Sequence, residues 1–266
     1  MNNRILNKEE IYLRLIEEEY SNQLSRKNPT PDSIMSFKTI FKSKITQIIL
    51  EETRKPIDFD IKIITSAELE IGLESGYDGT AIYISSENHK SAGELYIISQ
   101  GSQDIKDWEY NAKSMLAGLN TDQANDNVNF IKALKRRFDL SNQTPIIGLA
   151  HSLAHNNNLT SHLVSGSFDE LYSVNGAQTN YYQLFSQDIS FRNALNRHFS
   201  LSKNFQQAIY DLDPSELHDF AQDYYKDKIP VVNQRISTDD PLYALNTARG
   251  FFQLGNVQYI DTNPDY

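Results

Sequence analysis

The chain has 266 residues, a formal net charge of −10 and no cysteine. A chain of this length can bury a substantial core without cross-links, and the lack of cysteine excludes disulfides, thiolate metal sites and a cysteine nucleophile. Because the charge leaves no large basic field, we expect no nucleic-acid partner and at most a transient contact with a membrane surface.

Two amphipathic helices are predicted in residues 1–56, which we interpret as an N-terminal helical elaboration. The segment Asn28–Asp32 contains two prolines and breaks the pattern, Asp32 or Ser33 is the predicted N-cap of the second helix, and Pro56 ends that helix. The apolar positions that recur at helical spacing are Ile11, Tyr12, Leu15, Ile16 and Tyr20, then Ile34, Phe37, Ile40, Phe41, Ile45, Ile48 and Ile49.

Charged residues interrupt the first twenty positions, so no Sec signal peptide is predicted. No apolar stretch approaches the length of about 20 residues that a membrane-spanning helix needs. We therefore expect either export through a specialised secretion system or a cytoplasmic location.

After residue 56 the pattern changes to strands and helices in alternation. A hairpin with its turn at residues 86–93 is followed by strands that helical segments separate, which favours an α/β fold with a mainly parallel sheet flanked by helices. The predicted strands are 57–65, 80–85, 94–99, 144–149, 170–175, 231–237 and 256–260. Helices are predicted over 107–119 and 122–138, from about residue 153 onward, over 179–197, in the segment that follows up to about residue 227, and over 241–250.

The segment from Thr144 to His155 has the layout of a nucleophile elbow. An apolar strand runs into a tight turn with Ser152 at its tip, and a helix follows. Small residues two positions before and after such a serine relieve crowding where backbone strain pushes its Oγ out of the sheet. Ala150 and Ala154 stand where the usual G-x-S-x-G motif has glycine. The alternative is that Ser152 only caps the following helix.

A second segment extends this pattern upstream of the serine. The strand ending at Ser99 leads through Gln100 to a Gly101–Ser102 turn and then to Asp107–Trp108. Together with the Ser152 segment it resembles the class 3 lipase branch of the α/β-hydrolases, in which a strand, an R-G-T/S turn and a D-W pair precede G-H-S-L-G. The resemblance spans roughly residues 60–261 and departs from the family at Gln100, which replaces the arginine.

The resemblance implies an α/β-hydrolase-like core over residues 57–266. It nominates the backbone N–H groups of Ser102 and Leu153 as donors to the oxyanion, because an ester carbonyl gains negative charge when it is attacked. Asp107 and Trp108 are expected to be structural. Asp240, before Pro241, is the expected triad acid, with Asp239 next. The alternative is that these aspartates only begin a helix at Pro241.

The catalytic base has no obvious candidate. The family order is serine, acid, histidine, yet all six histidines precede Asp240. We expect the core to be C-terminally truncated, with the histidine beyond Tyr266; the alternative is that an earlier histidine, such as His155 on the helix after the elbow, has been recruited. A metal site formed by His151, His155 and His162 is disfavoured because the Glu of H-E-x-x-H is missing, so neither a metal nor a cofactor is predicted.

The resemblance implies a serine ester hydrolase of the lipase or phospholipase A type with an acyl-lipid substrate. A class 3-like core behind a polar helical segment is also similar to bacterial secreted lipase toxins, which implies an immunity or targeting protein as a partner. The alternative from another class is a catalytically inactive hydrolase-fold binding module, favoured by the alanines at the elbow, by Gln100 and by the lack of a late histidine.

Overall fold

The fold is α/β, with a mostly parallel seven-stranded sheet flanked by helices. The computed structural model describes residues 6, 9–22, 29–54, 59–85, 93–100, 122–201, 206–240, 243 and 253–260. The predicted helix 107–119 lies outside these residues, as does the predicted helix 241–250 apart from Tyr243. The division of the chain at residue 56 into elaboration and core stays a prediction.

The strands follow one another across the sheet in the order of the chain. Strands β1, β2 and β3 are antiparallel, which confirms the predicted hairpin, and every pair from β3 to β7 is parallel. The strands are β1 (Asp60–Thr65), β2 (Gly79–Ser85), β3 (Glu94–Ser99), β4 (Ile146–His151), β5 (Glu170–Val174), β6 (Val232–Ser237) and β7 (Asn256–Ile260).

Helices cover both faces of this sheet. The α-helices of the described residues are α1 (Glu9–Ser21), α2 (Pro31–Thr53), α3 (Asp122–Arg137), α4 (Ala154–Ser165), α5 (Tyr181–Gln187), α6 (Ile189–His198) and α7 (Pro214–Tyr224). Within the described part of the chain, none of them combines the length and the apolar composition that crossing a bilayer requires.

Two of the differences from the sequence predictions have clear local reasons. The N-cap of α2 is Thr30, whose hydroxyl accepts from the Ser33 N–H while the Ser33 hydroxyl accepts from the Thr30 N–H, and Pro31 takes the first helical position. The predicted helix 179–197 is two helices, because the Asp188 carboxylate accepts the N–H groups of Ser190 and Phe191 and starts a new helix there.

The two faces of the sheet carry separate apolar cores. One core joins α1 and α2 to side chains such as Ile82, Ile147 and Leu149 on one face of the strands. The other joins α3 to α7 to the opposite face. The N-terminal helices are therefore the layer that covers one side of the sheet.

Candidate functional site

The candidate site lies where the carboxyl ends of the parallel strands meet, the edge at which open α/β sheets bind ligands. Ser152 follows β4 directly and Asp240 follows β6 by three residues. The register of the sheet aligns the ends of three strands: His151 on β4 pairs with Val174 on β5, which pairs with Arg235 on β6. The loops after these strands therefore start side by side.

Ser152 occupies a strained turn. Its φ of 57° lies in the left-handed region, which costs a residue with a side chain roughly 1–2 kcal/mol. The turn is held from both sides, because the Ser152 N–H donates to the Val174 carbonyl at 3.2 Å and the Ser152 carbonyl accepts from the N–H groups of His155 and Ala177. Among the described residues, no side chain hydrogen bonds to the Ser152 hydroxyl, which is half-buried.

Small residues surround the turn as an elbow requires. Ala150 and Ala154 are buried, at 1% and 0% exposure, so neither position has room for a large side chain. Helix α4 starts at Ala154, and Leu153 is its N-cap. The first N–H groups of a helix have no partner within it and carry partial positive charge, which suits an oxyanion held at Leu153. The other predicted donor, Ser102, lies outside the described residues, as do Gly101, Asp107 and Trp108.

Asp240 lies in the turn after β6 and is half-buried. Its N–H donates to the Ser237 carbonyl at 3.2 Å, and its carbonyl accepts from the Tyr243 N–H at 2.9 Å. Asn175 ties this turn to the loop after β5, because its side-chain oxygen accepts from the Ser237 N–H at 2.7 Å. Asp239 is exposed beside it. The acid candidate is thus anchored at the same edge as Ser152.

The histidines next to Ser152 have different surroundings. Burial lowers the pKa of His151, and the negative charge of Asp240 opposes this shift, which puts His151 and Asp240 within electrostatic reach of each other. The His151 ring lies edge-on to Tyr20, with 5.2 Å between the ring centroids. Its Nδ1 has no hydrogen-bond partner among the described residues.

The alternative in which His155 is recruited as the catalytic base is wrong, because the side chain is buried away from any substrate. His155 is 0% exposed, and burial lowers the pKa of its imidazole to about 3. Within the described structure neither ring nitrogen has a hydrogen-bond partner. The ring packs on Gly176, where an added Cβ would stand 2.6 Å from His155 Cγ. His155 fills the space between α4 and the loop after β5.

A buried polar network below the elbow was missed by sequence reasoning. Asn158 is 0% exposed, and its side-chain oxygen accepts from Ser99 at 2.7 Å and from Asn127 at 2.6 Å. Asn156 exchanges hydrogen bonds with Gln183. The signal was available, because three consecutive asparagines in a predicted helix are poor helix formers and need another reason to be there.

No described residues form a metal centre: within the described ranges, no three side chains of His, Asp or Glu lie close enough together to hold an ion. His162 is used elsewhere, with its Nε2 2.9 Å from the Lys228 carbonyl. The chemistry that the described residues offer at this edge is therefore that of a serine hydroxyl, a helix N-terminus and a carboxylate.

A family model described as "Domain of unknown function (DUF6792)" matches residues 10–261. The chain is also similar to a Bacillus subtilis (strain 168) protein described as "Putative uncharacterized protein YvcB", with 36% identity over 274 residues. That match covers 98% of this chain and 42% of the relative, so the chain spans less than half the length of that curated relative. Neither description states an activity.

Proposed function

The chain belongs to the DUF6792 family, and from its elbow we propose that it is a serine ester hydrolase with an α/β-hydrolase fold that acts on acyl lipids. The observation that carries the proposal is the left-handed Ser152 on the turn between β4 and α4. A strained serine at a strand-to-helix turn is the geometry by which such enzymes expose a nucleophile. A serine that merely capped α4 would have extended backbone and would accept an N–H with its hydroxyl, and Ser152 does neither.

The proposed reaction has two halves. Ser152 Oγ attacks the acyl carbonyl, and its proton passes through an imidazole to the departing alcohol as the ester C–O bond breaks. Water, which gives a proton to the imidazole, then attacks the acyl carbon of the acyl-enzyme. The bond between this carbon and Ser152 Oγ breaks, the fatty acid leaves, and the imidazole returns the proton to Oγ. In both halves the Leu153 N–H, together with Ser102, holds the oxyanion at the start of α4. Asp240 orients the imidazole and stabilises its positive form.

The imidazole is the part that the described residues do not supply. None of the five described histidines hydrogen bonds to Ser152, and His155 is sealed in the core. The proposal therefore requires a histidine outside the described residues. The acyl-lipid substrate, the bacterial toxin role, the immunity or targeting partner and the export route without a Sec signal rest on the class 3 lipase resemblance.

Hydrolysis of acyl esters by the parent protein and by Ser152→Ala tests the proposal. We expect release of short-chain and long-chain acyl groups by the parent, and a loss of at least about a hundredfold in the variant. Ser215→Ala, which removes an exposed serine hydroxyl at the start of α7, is the matched control and should keep the parent rate. Near-ultraviolet circular dichroism of Ser152→Ala checks that its fold is unchanged. Equal rates in the parent and Ser152→Ala would exclude the serine mechanism.

The second candidate function is an inert binding module, which is favoured because no histidine in the described part of the chain hydrogen bonds to Ser152. A fluorophosphonate probe distinguishes the two, because it reacts with an activated serine and not with an ordinary hydroxyl. Labelling of the protein supports the hydrolase. Complete resistance to the probe supports the module.

A further inference from the structure

Helix α1 crosses the strand that carries the nucleophile. Its first residue, Glu9, contacts β5 and β6, and Glu19 near its other end contacts β2 and the end of β3. Because β4 lies between these pairs of strands, α1 passes over β4. Glu9 and Glu19 are ten residue steps apart on α1, a rise of about 15 Å, which matches about three strand spacings of about 4.8 Å.

Glu9 forms an ion pair with a residue of β6, the strand that precedes Asp240. Its Oε1 accepts from Arg235 Nε at 2.6 Å and its Oε2 accepts from Arg235 Nη2 at 2.7 Å, which is a two-pronged ion pair. The Tyr172 hydroxyl on β5 donates to the same carboxylate at 2.7 Å. The Arg235 guanidinium also lies over the Tyr172 ring, 5.8 Å from its centroid. One carboxylate thus fixes β5 and β6 to α1.

The C-terminal end of α1 contacts β2 and the residue that follows β3, at the same edge of the sheet. Glu19 is 1% exposed, and its Oε1 accepts from the Thr80 hydroxyl and the Gln100 side chain, both at 2.8 Å. Tyr20 packs edge-on against His151, the residue before Ser152. The same helix therefore contacts the ends of β3, β4 and β6.

We infer that Glu9 is a positioning residue that acts through Arg235 to set Asp240 relative to Ser152. Arg235 lies two residues before the end of β6, and its carbonyl accepts from the Asn175 N–H at 2.7 Å. Ser237 at the end of β6 is bonded to Asn175 and to the Asp240 N–H. A shift of Arg235 along β6 therefore moves the turn that carries Asp240. This inference rests on the proposed hydrolase function and adds the N-terminal helix to its catalytic unit.

The protonation of Glu9 follows from the same geometry. The hydrogen bonds from Arg235 hold the pKa of the Glu9 carboxyl below its usual value. The carboxylate form of Glu9 is thus the one that forms the ion pair with Arg235. This ion pair is present at neutral pH and is lost in acid.

The test is the rate at which a fluorophosphonate labels Ser152 in the full chain, measured against probe concentration to separate probe binding from the bond-forming rate. The variant is Glu9→Gln, and Glu10→Gln is the matched control, since it removes the same charge from the next, exposed residue of α1. The double variant Glu9→Gln, Arg235→Gln tests the route through Arg235. All are assayed well below their unfolding temperatures.

We expect Glu9→Gln to lower the bond-forming rate about tenfold with probe binding unchanged, since small displacements of catalytic groups cost this much or more. Glu10→Gln should match the parent, and the double variant should be no slower than Glu9→Gln. A loss of stability alone would reduce the labelled fraction and leave the rate of the folded protein unchanged. Parent-like rates in Glu9→Gln would overturn the inference and leave the hydrolase proposal standing. A parent that does not react at all would overturn both.

Discussion

Ser152 combines the proposed role of nucleophile with an unfavourable backbone conformation, and these two properties can be separated by substitution. Glycine adopts a φ of 57° with little strain, whereas alanine keeps the strain and removes the hydroxyl. We expect Ser152→Gly to be more stable than Ser152→Ala by about 1 kcal/mol. Urea unfolding of both variants measures this difference. If the two have the same free energy of unfolding, the left-handed conformation at Ser152 carries no strain.

His155 makes stability depend on pH. Burial lowers the pKa of this imidazole to about 3 in the folded protein, while the unfolded chain takes up the proton near pH 6.5. The unfolded state therefore binds more protons between these values, and stability falls as the pH drops below about 6.5, by up to about 1.4 kcal/mol per pH unit for this group. Burial shifts the pKa values of His151 and His162 in the same direction.

Urea unfolding between pH 5 and pH 7.5 checks the contribution of His155. The His155→Leu variant should show a slope lower by about one proton than the parent, whereas Leu134→Ala, which removes buried apolar atoms from α3 and no titratable group, should keep the parent slope. An unchanged slope in His155→Leu would contradict the burial of a neutral imidazole.

At the scale of elements, the sequence predicts the strands well, because each strand is a short run of β-branched or aromatic residues bounded by polar residues. The two helices around Asp188 were read as one, because apolar residues continue across the break and only the capping carboxylate marks it. The elbow could be placed because small residues flank Ser152. The three consecutive asparagines of α4 indicate a special role, but the sequence does not predict their partners, such as Ser99 and Gln183, because these come from distant segments.

Gly176, in the loop after β5, packs against His155 of α4 so closely that a larger residue would not fit in its place. A Cβ on Gly176 would lie 2.6 Å from His155 Cγ, closer than nonbonded carbons approach. We expect Gly176→Ala to cost about 1–3 kcal/mol of stability. The double variant with His155→Ala should be less destabilised than the sum of the two single variants, because the clash is removed. Additive losses in denaturant unfolding would contradict this contact.

At the scale of the whole molecule, α1 and α2 complete the fold. Their apolar side chains form one core with Ile82, Ile147, Leu149 and other residues of the sheet. Sequence periodicity predicts both helices and most of their buried residues, although Tyr20 and Ile40 of the predicted apolar stripes are exposed. It could not predict the face of the sheet that they cover, because this depends on contacts such as Glu9 with Arg235, which are 226 residues apart.

Removal of residues 1–56 tests this role. The shortened chain exposes one apolar face of the sheet, and we expect it to lose cooperative unfolding and to aggregate or bind hydrophobic dyes. Near-ultraviolet circular dichroism and urea unfolding compare it with the parent. Cooperative unfolding of residues 57–266 alone would show that the helices are an independent elaboration.

The proposed activity depends above all on Ser152 being an activated nucleophile. Mass spectrometry of the full chain after reaction with a fluorophosphonate locates the modified residue directly. We expect one phosphonylated peptide, modified at Ser152, in the parent and none in Ser152→Ala. An unmodified Ser152 in the folded parent, or equal modification of the parent and Ser152→Ala, would contradict it.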